Sequence, residues 1–142
     1  MYLKNCWYVA GWSKDYGRTL KAEKYLGENI VIYRKRDGAP AALEDACPHR
    51  KLPLSKGTLN EDSIICGYHG LTFNDKGQCS DSPTQRGMMP KRAAVRAYPV
   101  VDKYRLLWIW MGNPELADPD AIFPIDNFDN PTWGYTDGGV MD

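Results

Sequence analysis

Four side chains carry the chemistry this sequence can offer. Cys47 and His49 flank Pro48, Cys66 and His69 stand either side of Gly67-Tyr68, and sixteen residues separate His49 from Cys66. Each stretch supplies one thiolate and one imidazole. That donor set suits a two-iron, two-sulfur cluster in which one iron keeps two cysteines and the other takes two histidines, which raises the reduction potential above that of an all-cysteine centre. The expected chemistry is one-electron transfer. Two cysteines with two histidines are also a structural zinc set, but zinc sites usually pair C-x-x-C with H-x3-5-H, whereas each stretch here mixes the two ligand types. Coincidence is the remaining reading, and against it stands the fact that His49 and His69 are the chain's only histidines.

The spacing has a local mechanical basis. If the first stretch is extended, residues two apart project to one side, so Cys47 and His49 face a common point with Pro48 stiffening the backbone between them. Cys66 and His69, three apart, suit a tight turn in which Gly67 and Gly70 permit positive φ and bring backbone N–H groups close to sulfur.

The elements that must hold these loops read as strands. Apolar and β-branched runs predict strands at 7–10, 30–34, 40–45, 63–66, 71–74, 95–101 and 105–111, giving an all-β fold. Asp37-Gly38 and Asn74-Asp75-Lys76-Gly77 carry hairpin-turn chemistry. In the last strand Leu106, Trp108 and Trp110 alternate with Leu107, Ile109 and Met111, so both faces are apolar and a central core position is expected. The tryptophans are read as core rather than as a substrate box. From Asn113 onward Pro114, Pro119, Pro124 and Pro131 allow no more than a helical turn near 118–123, so 1–112 reads as one domain and 113–142 as a linker entering something further.

Composition narrows the class. With 142 residues, 43% hydrophobic, and 18 basic against 18 acidic side chains, the chain can bury one core and has no electrostatic footprint for nucleic acid or an anionic membrane. No apolar run reaches membrane-spanning length and no leader precedes residue 20, so a cytoplasmic protein with reduced thiols is expected. On that basis Cys6 and Cys79 are read as free, partly buried cysteines rather than a disulfide.

Several stretches together resemble a known family. Asn5-Cys6-Trp7-Tyr8-Val9-Ala10, Ile30-Val31-Ile32-Tyr33-Arg34, Cys47-Pro48-His49-Arg50-Lys51-Leu52-Pro53-Leu54-Ser55, Cys66-Gly67-Tyr68-His69-Gly70-Leu71 and Leu107-Trp108-Ile109-Trp110 resemble the N-terminal region of Rieske non-haem iron oxygenases. The branch resembled is that of vanillate O-demethylase oxygenase subunits and related aromatic demethylases and monooxygenases. The resemblance implies a Rieske-type [2Fe-2S] domain of antiparallel sheets with a small cluster-binding subdomain at about 45–72. It implies Cys47, His49, Cys66 and His69 as cluster ligands, with Arg50, Gly67, Tyr68 and Gly70 around them. A reductase or ferredoxin would be the electron donor, and the acceptor would be a mononuclear Fe(II) that activates O2 in a C-terminal catalytic domain of the same or a neighbouring subunit, within a trimer. A 2-His-1-carboxylate iron site needs two further histidines, which this chain lacks, so residues 133–142 read as the truncated entry to that domain.

The resemblance also sorts the cluster by what is missing. Cytochrome bc-type Rieske proteins place a disulfide cysteine in each ligand loop, where this chain has Leu52 and Tyr68, and a serine and a tyrosine that hydrogen-bond sulfur, where it has Leu71 and Phe73. Without those donors the potential is expected in the lower part of the Rieske range. The outer nitrogens of His49 and His69 are the expected electron exit. Arg50, Lys51, Lys56, Arg86, Lys91 and Arg92 could form a basic rim for an acidic donor or be solvated surface, and 82–90 could be a third loop over the cluster or an exposed connector. A standalone Rieske ferredoxin and a structural zinc-binding module remain the alternatives, the first disfavoured by the Pro-rich segment after Gly112.

Overall fold

The computed structural model describes residues 1–83, 93–134, 136 and 138. Among the described residues eleven strands form three antiparallel sheets, with no α-helix. Strands β1 (Cys6–Trp12), β11 (Leu106–Met111) and β10 (Val100–Lys103) make one sheet in the order β1-β11-β10. The second runs β2 (Lys21–Tyr25), β3 (Glu28–Arg34), β4 (Pro40–Glu44), β9 (Ala97–Tyr98). The third, smaller sheet runs β5 (Thr58–Asn60), β6 (Ser63–Ile65), β7 (Thr72–Phe73), β8 (Cys79–Asp81).

The β2-β3-β4-β9 sheet is the middle layer. Ile30, Val31, Ile32 and Tyr33 of β3 are all fully buried, alternate residues going to opposite faces. Ile30 and Ile32 pack with Leu107, Ile109 and Met111 of the first sheet, whereas Val31 and Tyr33 pack with Ile64, Leu71, Phe73 and the thiols Cys47 and Cys66. The strand buried on both faces is therefore β3. On β11, the central strand of the first sheet, the Leu107 face is fully buried, and on the other face Trp110 is buried while Leu106 and Trp108 are half-buried. Three tryptophans on this face hand their indole N–H to a backbone carbonyl: Trp108 to Lys103 at 3.0 Å, Trp110 to Asn113 at 2.7 Å and Trp7 to Asp118 at 2.8 Å. Residues 113–122 thus lie against the outer face of the first sheet, with Ile122 only 2% exposed.

Both expected turns form. Gly38 (φ +85) and Gly77 (φ +77) take left-handed conformations at the β3–β4 and β7–β8 hairpins, and the Asn74 side chain accepts the N–H groups of Lys76 and Gln78 at 3.0 Å each. The expected strand at 95–101 is two strands in different sheets. Pro99 separates them, because a proline cannot donate to either ladder, while its carbonyl accepts Trp110 N–H at 2.9 Å and guides the chain from β9 to β10. Three strands lay outside the sequence reading. Strand β2 is Lys-Ala-Glu-Lys-Tyr, poor in β-formers, and is held as an edge strand by its pairing to β3 through the Leu26-Gly27 turn, both at positive φ. Strands β5 and β8 are three residues each, too short to show a period. A turn at Pro119–Ala121, capped by the Asp118 side chain, matches the expected one.

Candidate metal centre

The third sheet presents its two loops at one end. The first joins β4 to β5 and holds Cys47 and His49; the second joins β6 to β7 and holds Cys66 and His69. Each closes on itself by the same pair of hydrogen bonds. Cys47 N–H donates to Leu52 O at 2.8 Å and Lys51 N–H returns to Cys47 O at 2.7 Å; Cys66 N–H donates to Leu71 O at 2.8 Å and Gly70 N–H returns to Cys66 O at 3.1 Å. In each loop the fifth residue, Lys51 (φ +58) or Gly70 (φ +73), is left-handed and turns the chain back.

Two details differ from the spacing argument. The first loop is a turn at Pro48, His49 and Arg50 rather than an extended segment, because the Lys51-to-Cys47 bond curls it. Gly67 does not take positive φ; a side chain there would sit 3.3 Å from the Lys56 carbonyl oxygen, so its role is close packing of the two loops. Gly70 is left-handed as expected, but its N–H is spent on the Cys66 carbonyl and not on sulfur.

The loops bring the four donors together in two pairs. Cys47 and Cys66 are 2% and 3% exposed at the floor, close enough for Cys66 to act on the Cys47 thiol. Burial pushes the Cys47 thiol above its ordinary pKa, opposed by the N–H groups of His49 and Arg50, which favour the thiolate. At the mouth the Nδ1 atoms of His49 and His69 face each other at 2.9 Å. At that distance one ring nitrogen donates to the other, and the spacing is close to the roughly 3.3 Å that separates two nitrogens held about 2 Å from one shared tetrahedral metal. Among the described residues no group of three or more His, Cys, Asp or Glu side chains converges on one point, so the donors stand as two separate pairs. Two sulfurs below and two nitrogens above fit a binuclear cluster with asymmetric ligands.

The surroundings are part apolar, part cationic. Leu52, Leu71, Arg50 and Tyr68 complete the lining. Tyr68, 54% exposed, packs its ring 3.9 Å from that of His69, and Arg50 reaches from the other loop to 5.7 Å above the Tyr68 ring. Lys51 and Lys56 are exposed nearby, whereas Arg86, Lys91 and Arg92 of the expected basic rim lie outside the described residues. Of the expected third loop only Ser82 and Pro83 are described, with Pro83 Cγ 3.3 Å from where a Gly70 side chain would begin. Cys6 and Cys79 are free thiols.

One important group was missed by the sequence reading. Asp45, 7% exposed, accepts both the backbone N–H and the hydroxyl of Ser55 at 2.7 Å each, tying the two ends of the first ligand loop together. A carboxylate ten residues from its partner leaves no sequence signature. No helix among the described residues is long and apolar enough to cross a membrane.

Known proteins share this fold. The chain is 41% identical to an iron-sulfur subunit of the toluene-4-sulfonate monooxygenase system of Comamonas testosteroni across 99% of its length, and 39% identical to a vanillate O-demethylase oxygenase subunit of a Pseudomonas species across 97%. It spans 40% and 38% of those two proteins. The crystal structure of dicamba monooxygenase bound to dicamba superimposes with a TM-score of 0.85 at 41% identity, covering 92% of this chain and 39% of that one. Residues 6–103 match the Rieske [2Fe-2S] domain, and with the paired ligand loops in place the chain belongs to that family.

Proposed function

We propose that this chain is the electron-transfer domain of an oxygenase component, holding a [2Fe-2S] cluster through Cys47 and Cys66 on one iron and His49 and His69 on the other. When bound, the cluster takes up and releases one electron at a time. The single observation that carries the assignment of ligands is the 2.9 Å approach of two imidazole Nδ1 atoms from separate loops above a buried pair of thiols. Cys47 and Cys66 sit in the core with Leu54, Ile64, Leu71 and Phe73, which keep water from the sulfur side. His49 and His69 carry the opposite side toward solvent, and with Tyr68 and Arg50 they form the surface through which a redox partner couples.

The oxygenase context rests on the relatives, whose similarity to this chain runs through residues 113–142 as well as the cluster domain. Electrons arrive from a reductase or ferredoxin and leave through the histidine face to a mononuclear iron outside this segment, in the same or a neighbouring subunit of a trimer, where a methoxylated or methylated aromatic is demethylated or hydroxylated. With both histidines of the chain committed to the cluster, this segment alone does not turn over substrate.

The test is direct. Protein purified anaerobically should contain two irons and two acid-labile sulfides per chain and give a reduced-state EPR spectrum that disappears in His69→Ala. Stoichiometric zinc and no colour after reconstitution with iron and sulfide would overturn the assignment.

A further inference from the structure

One buried polar group is unexplained by the loops themselves. Ser82 is fully buried, and its hydroxyl has no hydrogen-bond partner among the described residues, although its backbone N–H is satisfied by Asp81 Oδ1 at 2.8 Å. A buried hydroxyl without a partner costs about 1–3 kcal/mol, so native proteins rarely leave one idle. Its position suggests the partner. Thr72 pairs with Asp81, so the β7–β8 ladder, continued by one residue, sets Ser82 across from Leu71. Ser80 and Asp81 are exposed whereas Ser82 turns inward, and Pro83 then lies against Gly70. Leu71 lines the candidate metal centre, follows the second ligand loop and occupies the place where a sulfur-bonding serine would stand in the bc-type proteins.

We propose that the Ser82 hydroxyl donates a hydrogen bond to a sulfur of the cluster, replacing from the opposite strand the donor that Leu71 cannot supply. The proposal rests on the cluster assignment made above. Ser82 does not itself line the site, but Leu71 beside it does, so a cluster held there would bring sulfur toward this buried corner, and a hydroxyl bonded to it would stabilise the reduced, more negative form. The O–H bond stays intact, so the contact tunes electron affinity without moving a proton. Ser82 is a positioning and tuning residue and does not ligate iron.

The test uses the iron-loaded protein. Iron, sulfide and EPR of the parent first establish the cluster; their failure would remove the cluster assignment itself. With the cluster established, Ser82→Ala should lower the one-electron midpoint by about 59 mV, a tenfold change in the reduction equilibrium. Ser82→Thr should restore it. After exchange into D2O, pulsed EPR of the reduced parent should show a deuteron coupling that Ser82→Ala lacks. A fully loaded Ser82→Ala protein with the parental midpoint would overturn the proposal. Should that variant fail to load, Ser82→Cys, nearly the same size but a weak donor, decides: a lowered midpoint supports the contact and an unchanged one refutes it.

Discussion

Removing the Asp45 carboxylate should loosen the first ligand loop far more than it disturbs the fold. Asp45 receives two short bonds from Ser55, and these fasten the ends of the segment that contains Cys47 and His49. Hydrogen bonds to a charged acceptor are worth about 1.5 kcal/mol each at the low end, so Asp45→Ala removes roughly 3 kcal/mol from the closed loop. Local opening of the loop would then be about a hundredfold more populated, at about 1.4 kcal/mol per factor of ten. The readout is the rate at which visible absorbance bleaches under an excess of iron chelator. Asp45→Ala should bleach on the order of a hundredfold faster than the parent. Asp45→Asn keeps one acceptor for the Ser55 N–H, forfeits about 1 kcal/mol and should bleach about fivefold faster. Parental bleaching rates in Asp45→Ala would refute the clamp.

Four further expectations can be measured. Arg34 bonds both Asp102 oxygens at 2.7 and 3.0 Å as well as the Ser13 and Tyr16 carbonyls, joining the first two sheets, so Arg34→Ala should lower stability by about 2 kcal/mol in thermal or urea unfolding. Hydrogen bonding from Arg34 holds the Asp102 carboxyl below its ordinary pKa; that stability is complete above the unfolded carboxyl value and fades as pH falls through the folded one, so thermal midpoints of Asp102→Asn should decline less than those of the parent below about pH 4. Gly70→Ala forces a side chain into φ +73 beside Pro83 and should cost about 1–2 kcal/mol with faster cluster loss. With Phe73 in place of a second hydroxyl donor and Ser82 supplying only one, the parent midpoint should still lie toward the lower part of the Rieske range of roughly −150 to +300 mV, and Leu71→Ser should raise it in voltammetry.

What the sequence disclosed and what it withheld divide along physical lines. The ligand loops and the Gly38 and Gly77 hairpins depend on residue types with special chemistry, so they stood out from spacing alone. Strand β3 was legible as an apolar run and β11 as a central strand, but alternation could not show that the outer face of β11 buries Trp110 while leaving Leu106 and Trp108 half-covered. Strand β2 escaped because its pairing with β3, not its own composition, makes it a strand. The Asp45–Ser55 clamp and the orphan Ser82 hydroxyl are properties of contact and burial, which no local pattern encodes. Gly67 was noticed for the wrong reason: glycine advertises backbone freedom, but here it provides room.

Each ligand loop is a self-contained grip, shaped by two hydrogen bonds that never leave its own six residues. The interval between the grips belongs instead to the β5–β6 hairpin, whose residues supply no donor atom. Spacing inside a grip is therefore rigid while spacing between grips is elastic. A search for relatives should hold the former fixed and let the latter stretch.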